Sequence, residues 1–173
     1  MEKLFNNGTV TEFSDKPISR KVMKAIMKDT MNAPSAGEQC PWEFYIVTDD
    51  DTKWRLSECA RYAKPAKDAP VVVVPCYQRR CKHPAYVLQD MAAACNNMML
   101  SAGSHDIGTY WVGIAPKIPR MELVSNVLTL PRHLHPFSIM CLGYPATGEI
   151  PKKSKRYDSE KLHFTTNPDN YFE

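Results

Sequence analysis

Long apolar runs are missing from this sequence. None approaches the roughly 20 residues that a membrane-spanning helix needs, and the opening stretch from Met1 to Val10 is polar, so neither a span nor a secretory signal is read. Glycine is scarce, with seven in 173 residues. No Gly-rich turn follows the first expected strand, which leaves a Rossmann-type dinucleotide site without support. No Gly/Ser linker, internal repeat or low-complexity tract divides the chain, so one domain over residues 1–173 is expected. Charge of one sign is not in large excess either. Lys and Arg number 22 against 19 Asp and Glu, a net charge of +3, which argues against the broad basic face of a nucleic-acid binder. The six cysteines (Cys40, Cys59, Cys76, Cys81, Cys95 and Cys141) lack regular spacing. Without an export signal they read as reduced thiols of a cytoplasmic protein.

What is present is an ordinary globular composition, 43% apolar and 24% charged. Ser19 predicts the cap of a helix running toward Asn32, with Val22, Met23, Ile26, Met27 and Thr30 on one face and Pro34 as its stop. Phe44 to Val47 reads as a buried strand, Asp50 to Ala63 as a weaker helix. Val71 to Val74, consecutive β-branched residues, give the clearest strand. The clearest helix is Leu88 to Ala102, with Leu88, Met91, Cys95, Met98 and Ala102 facing the core and Gly103 as its left-handed closing residue. Thr109 to Ile114 reads as strand, Pro119 to Leu128 as helix and Phe137 to Leu142 as strand. By pattern alone this alternation suggests a doubly wound parallel sheet.

Two clusters raise the question of a metal: Cys76, Cys81 and His83, and the pair His133 and His135. A Cys-x4-Cys-x-His spacing departs from the usual zinc pattern, and no second Cys pair completes four ligands. Buried cysteines and loop histidines are the simpler account, and no metal is expected.

Three stretches carry more information: Phe13-Ser-Asp-Lys-Pro-Ile-Ser19, Ala33-Pro-Ser-Ala-Gly-Glu-Gln-Cys-Pro-Trp42, and Asp90-Met-Ala-Ala-Ala-Cys-Asn-Asn-Met-Met-Leu-Ser-Ala102 followed by Ile107-Gly-Thr-Tyr-Trp-Val-Gly113. With Gly143-Tyr-Pro145 and the basic segment ending at Arg156, they resemble the nitroreductase family, in order, from about Phe5 to Phe164. The resemblance implies an α+β fold, a mixed sheet flanked by helices, built as an intertwined homodimer with FMN at the subunit interface. It also implies a two-step exchange. NADH or NADPH reduces FMN and leaves; then a nitroaromatic, quinone or flavin acceptor enters the same space. In such enzymes the flavin carries the chemistry and the protein supplies position and electrostatics, so no catalytic side chain is expected.

Residue by residue, the resemblance places Pro34, Ser35 and Ala36 against the flavin, contributed by the partner subunit, although Pro34 alone would account for a helix-ending turn. Glu38 stands where the family usually has Asn, and Cys40 where it has Gln. An ionised Glu donates no hydrogen bond and Cys only a weak one. Trp42 matches the family and equally suits a core position. Ile107, Gly108 and Thr109 match the family's turn near the reactive edge of the ring, where backbone amides act; a tight turn without a ligand is the plainer alternative. At the N-terminus the family's Arg-rich stretch is replaced by Asn7, Gly8, Thr9, Val10 and Thr11, so a bidentate grip on the FMN phosphate is lost there. Lys153, Lys155 and Arg156 are the compensating cations, Arg156 matching best, while Lys152 reads as solvated. Without those arginines the same fold is also compatible with a flavin carrier or a non-catalytic dimer. The C-terminal Phe164, Tyr171 and Phe172 stay unassigned between a tail over a partner and a free tail.

Overall fold

A computed structural model describes residues 8–151 and 157–165 of the chain. Its core begins with the valine run. Strand β2 (Val71–Gln78) is buried almost throughout, and it pairs with β1 (Trp42–Val47), with β5 (Ser138–Gly143) and, at its far end, with the short β4 (Leu134–Pro136). Strand β3 (Gly108–Gly113) closes the order β1-β2-β5-β3. All four ladders are antiparallel, which corrects the parallel sheet suggested by pattern. A continuous apolar strand reports burial on both faces, and burial does not specify strand direction. The one parallel pairing among the described residues is the bridge between Thr9 and Thr109, so the sheet is mixed through that contact alone.

Side chains of β2 alternate between two apolar layers. Val71 and Val73 join Met140, Leu142, Ile26, Cys95, Met98 and Ala102, mostly from helices α1 (Arg20–Met31) and α3 (Val87–Ser104). Val72 and Val74 join Ile139, Leu56, Met121 and Val124, the last three from α2 (Asp50–Ser57) and α4 (Ile118–Leu128). Helices therefore cover both faces, and the architecture is α+β as expected. Ser19 caps α1 by accepting from the Val22 amide. The weak helix expected to Ala63 ends at Ser57 and continues as turns.

Three local expectations are overturned. Leu88 is exposed at 39%, because the helix already begins at Val87 and turns that position outward. Gly103 lies inside α3. The left-handed closing residue is Asp106 at φ 59°, with its amide donating to Gly103 O and the Ile107 amide to Ala102 O, a Schellman closure with apolar Ile107 as its anchor. Strand β1 is an edge: Ile46 is half exposed, and Met27, Met31, Trp42, Phe44 and Ile46 border a groove of about 500 Å³. No helix among the described residues is long and apolar enough to cross a membrane.

Candidate functional site

At one end of the sheet the N-terminal segment is stitched to β3 and to the chain beyond β5. The Val10 amide donates to Thr109 O (3.1 Å), Ser14 to Tyr144 O (2.9 Å) and Ala146 to Glu12 O (3.0 Å), and Phe13 bridges Pro145. Alternation along this extended segment turns Val10 inward and leaves Thr9 and Thr11 exposed on one side. Two glycines make the packing possible. A Cβ on Gly8 would lie 1.7 Å from Pro151 O, and one on Gly108 would lie 2.4 Å from Val10 Cγ2. The resemblance implies that Gly108 allows close approach to a ligand; the space a side chain would take there is filled by Val10, so the N-terminal segment by itself requires the glycine. Ile107 is fully buried, and its amide is committed to the end of α3, so it contributes position rather than a free donor. Thr109 is 2% exposed, and its hydroxyl has no hydrogen-bond partner among the described residues.

The second group of candidates sits in the loop between α1 and β1. Pro34 is exposed, and beyond it Gly37 (φ 55°), Glu38 (φ 56°) and Cys40 (φ 42°) all take left-handed conformations. For Glu38 and Cys40 that backbone is costly, on the order of 1 kcal/mol each, and it persists only because neighbours hold it. Ser35 Oγ accepts from the Cys40 amide (3.0 Å) and lies 3.7 Å from Cys40 Sγ. Asp90, buried in the first turn of α3, accepts from the Ala36 amide (2.9 Å) and from Gln39 Nε2 (2.6 Å). Gln39 also donates to His83 O and accepts from the His83 amide, tying this loop to the one after β2. A Cβ on Gly37 would meet the His83 ring at 2.6 Å. Neither Gln39 nor Asp90 was picked out from the sequence. An acid inside an otherwise apolar helix face was the available signal for Asp90; Gln39 offered none. Trp42 begins β1, buried opposite Tyr77.

The structure therefore brings Gly8, Thr9, Thr11, Ile107, Gly108 and Thr109 together and leaves Pro34, Ser35, Ala36 and Glu38 elsewhere. The first group lies where β5 ends and β3 begins, the second where β1 begins and β2 ends. Strands of six residues at about 3.3 Å each separate these ends by roughly 20 Å. Asn7, Lys152, Lys153, Lys155, Arg156, Tyr171 and Phe172 lie outside the described residues. Phe164 is described and partly exposed.

Thiol and imidazole chemistry is subdued in the core. Burial pushes Cys76, Cys95 and Cys141 up to about 12, so these thiols stay protonated at neutral pH. His135 is lowered below its ordinary value, first by burial and then by the Arg79 charge, and its ring packs against Tyr77. Among the described residues no three His, Cys, Asp or Glu side chains are grouped so as to hold a metal ion.

These features agree with what the chain is similar to. The nitroreductase family model matches residues 9–84 and 51–144, which overlap and together take in most of the chain. The chain belongs to the nitroreductase family. A protein of Methanothermobacter thermautotrophicus, provisionally named NADH dehydrogenase/NAD(P)H nitroreductase, is 29% identical over 164 residues, covering 94% of this chain and 85% of that protein. A crystal structure from Clostridium acetobutylicum, provisionally named NADH oxidase, matches with a TM-score of 0.90 at 30% identity, covering 95% of this chain and 99% of that one. A nitroreductase structure from Desulfovibrio desulfuricans, solved in complex with FMN and only 21% identical, shares the fold with a TM-score of 0.80, covering 96% of each chain.

Proposed function

We propose that this oxidoreductase is an FMN enzyme working as a cytoplasmic homodimer, taking electrons from NADH or NADPH and passing them to a small acceptor such as a nitroaromatic, a quinone or a flavin. The observation that carries the reading is the division of the candidate residues, in a member of this family, between opposite ends of one sheet. About 20 Å apart, they cannot enclose one ring within a single chain. Two copies can bring loop 34–40 of one to segment 8–11 of the other. The half-exposed Met31 and Ile46, beside the apolar groove on the β1 edge, supply surface that a second copy would cover.

The residues present fit a phosphate-bearing flavin. Gly8 is packed on Pro151, so the extended segment carrying the Thr9 and Thr11 hydroxyls starts beside the point after which Lys153, Lys155 and Arg156 follow in sequence. Hydroxyl donors and cations are the groups a phosphate selects. When bound, FMN supplies a ring that accepts an electron pair and gives it up again. The chain's own part is to hold and orient. Segment 8–11 is fixed by the Thr109 carbonyl, and loop 34–40 is fixed by Asp90 and Gln39 before any ligand arrives, which lowers the ordering cost of binding. Glu38 presents a carboxylate where a donor is usual, so the electrostatics there favour an electron-poor ring over an electron-rich one.

Purified protein tests this directly. It should be yellow, release FMN on denaturation, bleach anaerobically with NADH or NADPH, and sediment as a dimer at micromolar concentration. Colourless protein that takes up no FMN, or a compact flavin-loaded monomer, would overturn the reading.

A further inference from the structure

Beyond the candidate residues, the loop end of the sheet carries a group of exposed cations. Arg79, Arg80 and Lys82 lie in the loop after β2, all exposed, and Arg132 lies in the turn before β4. The pairing of Gln78 with Leu134 sets these two segments side by side, and the Arg79 charge is felt at His135. None of the four has a carboxylate at ion-pair distance among the described residues. The acids nearby are otherwise engaged or fewer: Glu43 accepts from Gln78 Nε2, Asp90 is buried on Ala36 and Gln39, and Glu38 alone is exposed. The group is also attached to loop 34–40. Lys82 Nζ lies 3.7 Å from where a Gly37 Cβ would be, and Gln39 clamps the His83 backbone in both directions. Three residues after His83, Tyr86 is 55% exposed at the start of α3.

Given the FMN-dependent reading above, on which this rests, we infer that Arg79, Arg80, Lys82 and Arg132 select NADPH over NADH by binding its adenosine 2′-phosphate, with Tyr86 offering a face for the adenine. A phosphate monoester is the one group that distinguishes the two donors. It carries close to two negative charges near neutral pH and three acceptor oxygens, which arginine forks and a lysine can satisfy together. The ribose hydroxyls of NADH call instead for an acceptor carboxylate, and Glu38, the exposed acid of the adjoining loop among the described residues, is outnumbered. The pyrophosphate is common to both donors, so it does not discriminate.

Calorimetry on the holoprotein with adenosine 2′,5′-bisphosphate and with 5′-AMP reads this without turnover. The bisphosphate should bind at least tenfold more tightly, with a steeper dependence on salt than 5′-AMP. The exposed-site double variant Arg80→Ser/Lys82→Ser should lose most of that preference while keeping its melting temperature and its FMN. In anaerobic flavin reduction, the same variant should raise the NADPH half-saturation at least tenfold and leave that of NADH nearly unchanged. Equal affinity for the two nucleotides, or equal losses for both donors, would overturn the inference while leaving the flavin reading intact. Holoprotein bleached by neither donor would instead overturn the flavin reading, with the bisphosphate comparison still deciding whether the cations form a phosphate site.

Discussion

Replacing Gly108 by Ala perturbs the contact that holds the N-terminal segment to the sheet. The new Cβ would lie 2.4 Å from Val10 Cγ2, 2.7 Å from its Cβ and 3.0 Å from its Cγ1. Val10 is 4% exposed and its amide donates to Thr109 O. One response is local strain, about 1–3 kcal/mol for an extra carbon in a packed site. The other is detachment of residues 8–11, which gives up about 1.5–3 kcal/mol of Val10 burial and about 1 kcal/mol for the hydrogen bond. Strain is the cheaper course at the lower end of its range, and the lost flexibility of the unfolded glycine returns about 0.5 kcal/mol. The expected net loss is about 0.5–2.5 kcal/mol, a fall of roughly 1.5–7.5 °C in melting temperature for a chain of this size. Differential scanning calorimetry measures it, and Val10 provides the control. Val10→Ala in the variant keeps the 2.7 Å clash and should rescue little, whereas Val10→Gly removes all three contacts and should recover the strain, at the expense of burial. A Gly108→Ala protein that melts within about 1 °C of the parent would refute the argument that the glycine is there for Val10.

Three other outcomes follow from named residues. On the proposed flavin reading, Thr11→Arg and Glu38→Asn should each raise the midpoint potential of bound flavin in a redox titration, since one would add a cation and the other remove a carboxylate beside a ring that gains negative charge on reduction; the account fails if neither moves it. In a native-state thiol titration Cys40 should react first, being exposed, while Cys76, Cys95 and Cys141 stay silent until unfolding because burial holds them near 12. His135, lowered in the folded state by burial and by Arg79, favours its neutral form there. Its contribution is present above the unfolded imidazole value near 6.5 and is lost as pH falls below it toward the lower folded value. Urea midpoints taken from pH 7.5 down to 5 should therefore decline, and His135→Gln should flatten that decline.

The sequence by itself determined the elements whose signal is local. Ser19 caps its helix because a hydroxyl three residues before a free amide suffices. The valines of 71–74 had to be a strand buried on both faces, since four β-branched residues fill a pleated surface and leave no polar side to expose. The ordered motifs from Phe13 to Pro145 were enough to indicate the family. Tertiary structure decided what depends on distant partners. Strand direction came from the pairing of β2 with β1 and β5, to which burial is indifferent. The closing residue of α3 moved from Gly103 to Asp106 because packing carried the helix through Ser104. The roles of Gln39 and Asp90 arise from contacts across more than forty positions of sequence, and the demand on Gly108 comes from Val10, nearly a hundred residues away. Most consequential for function, residues with a single expected role fall at two ends of one sheet, because a strand sets its own length and no motif reports which end its neighbours occupy.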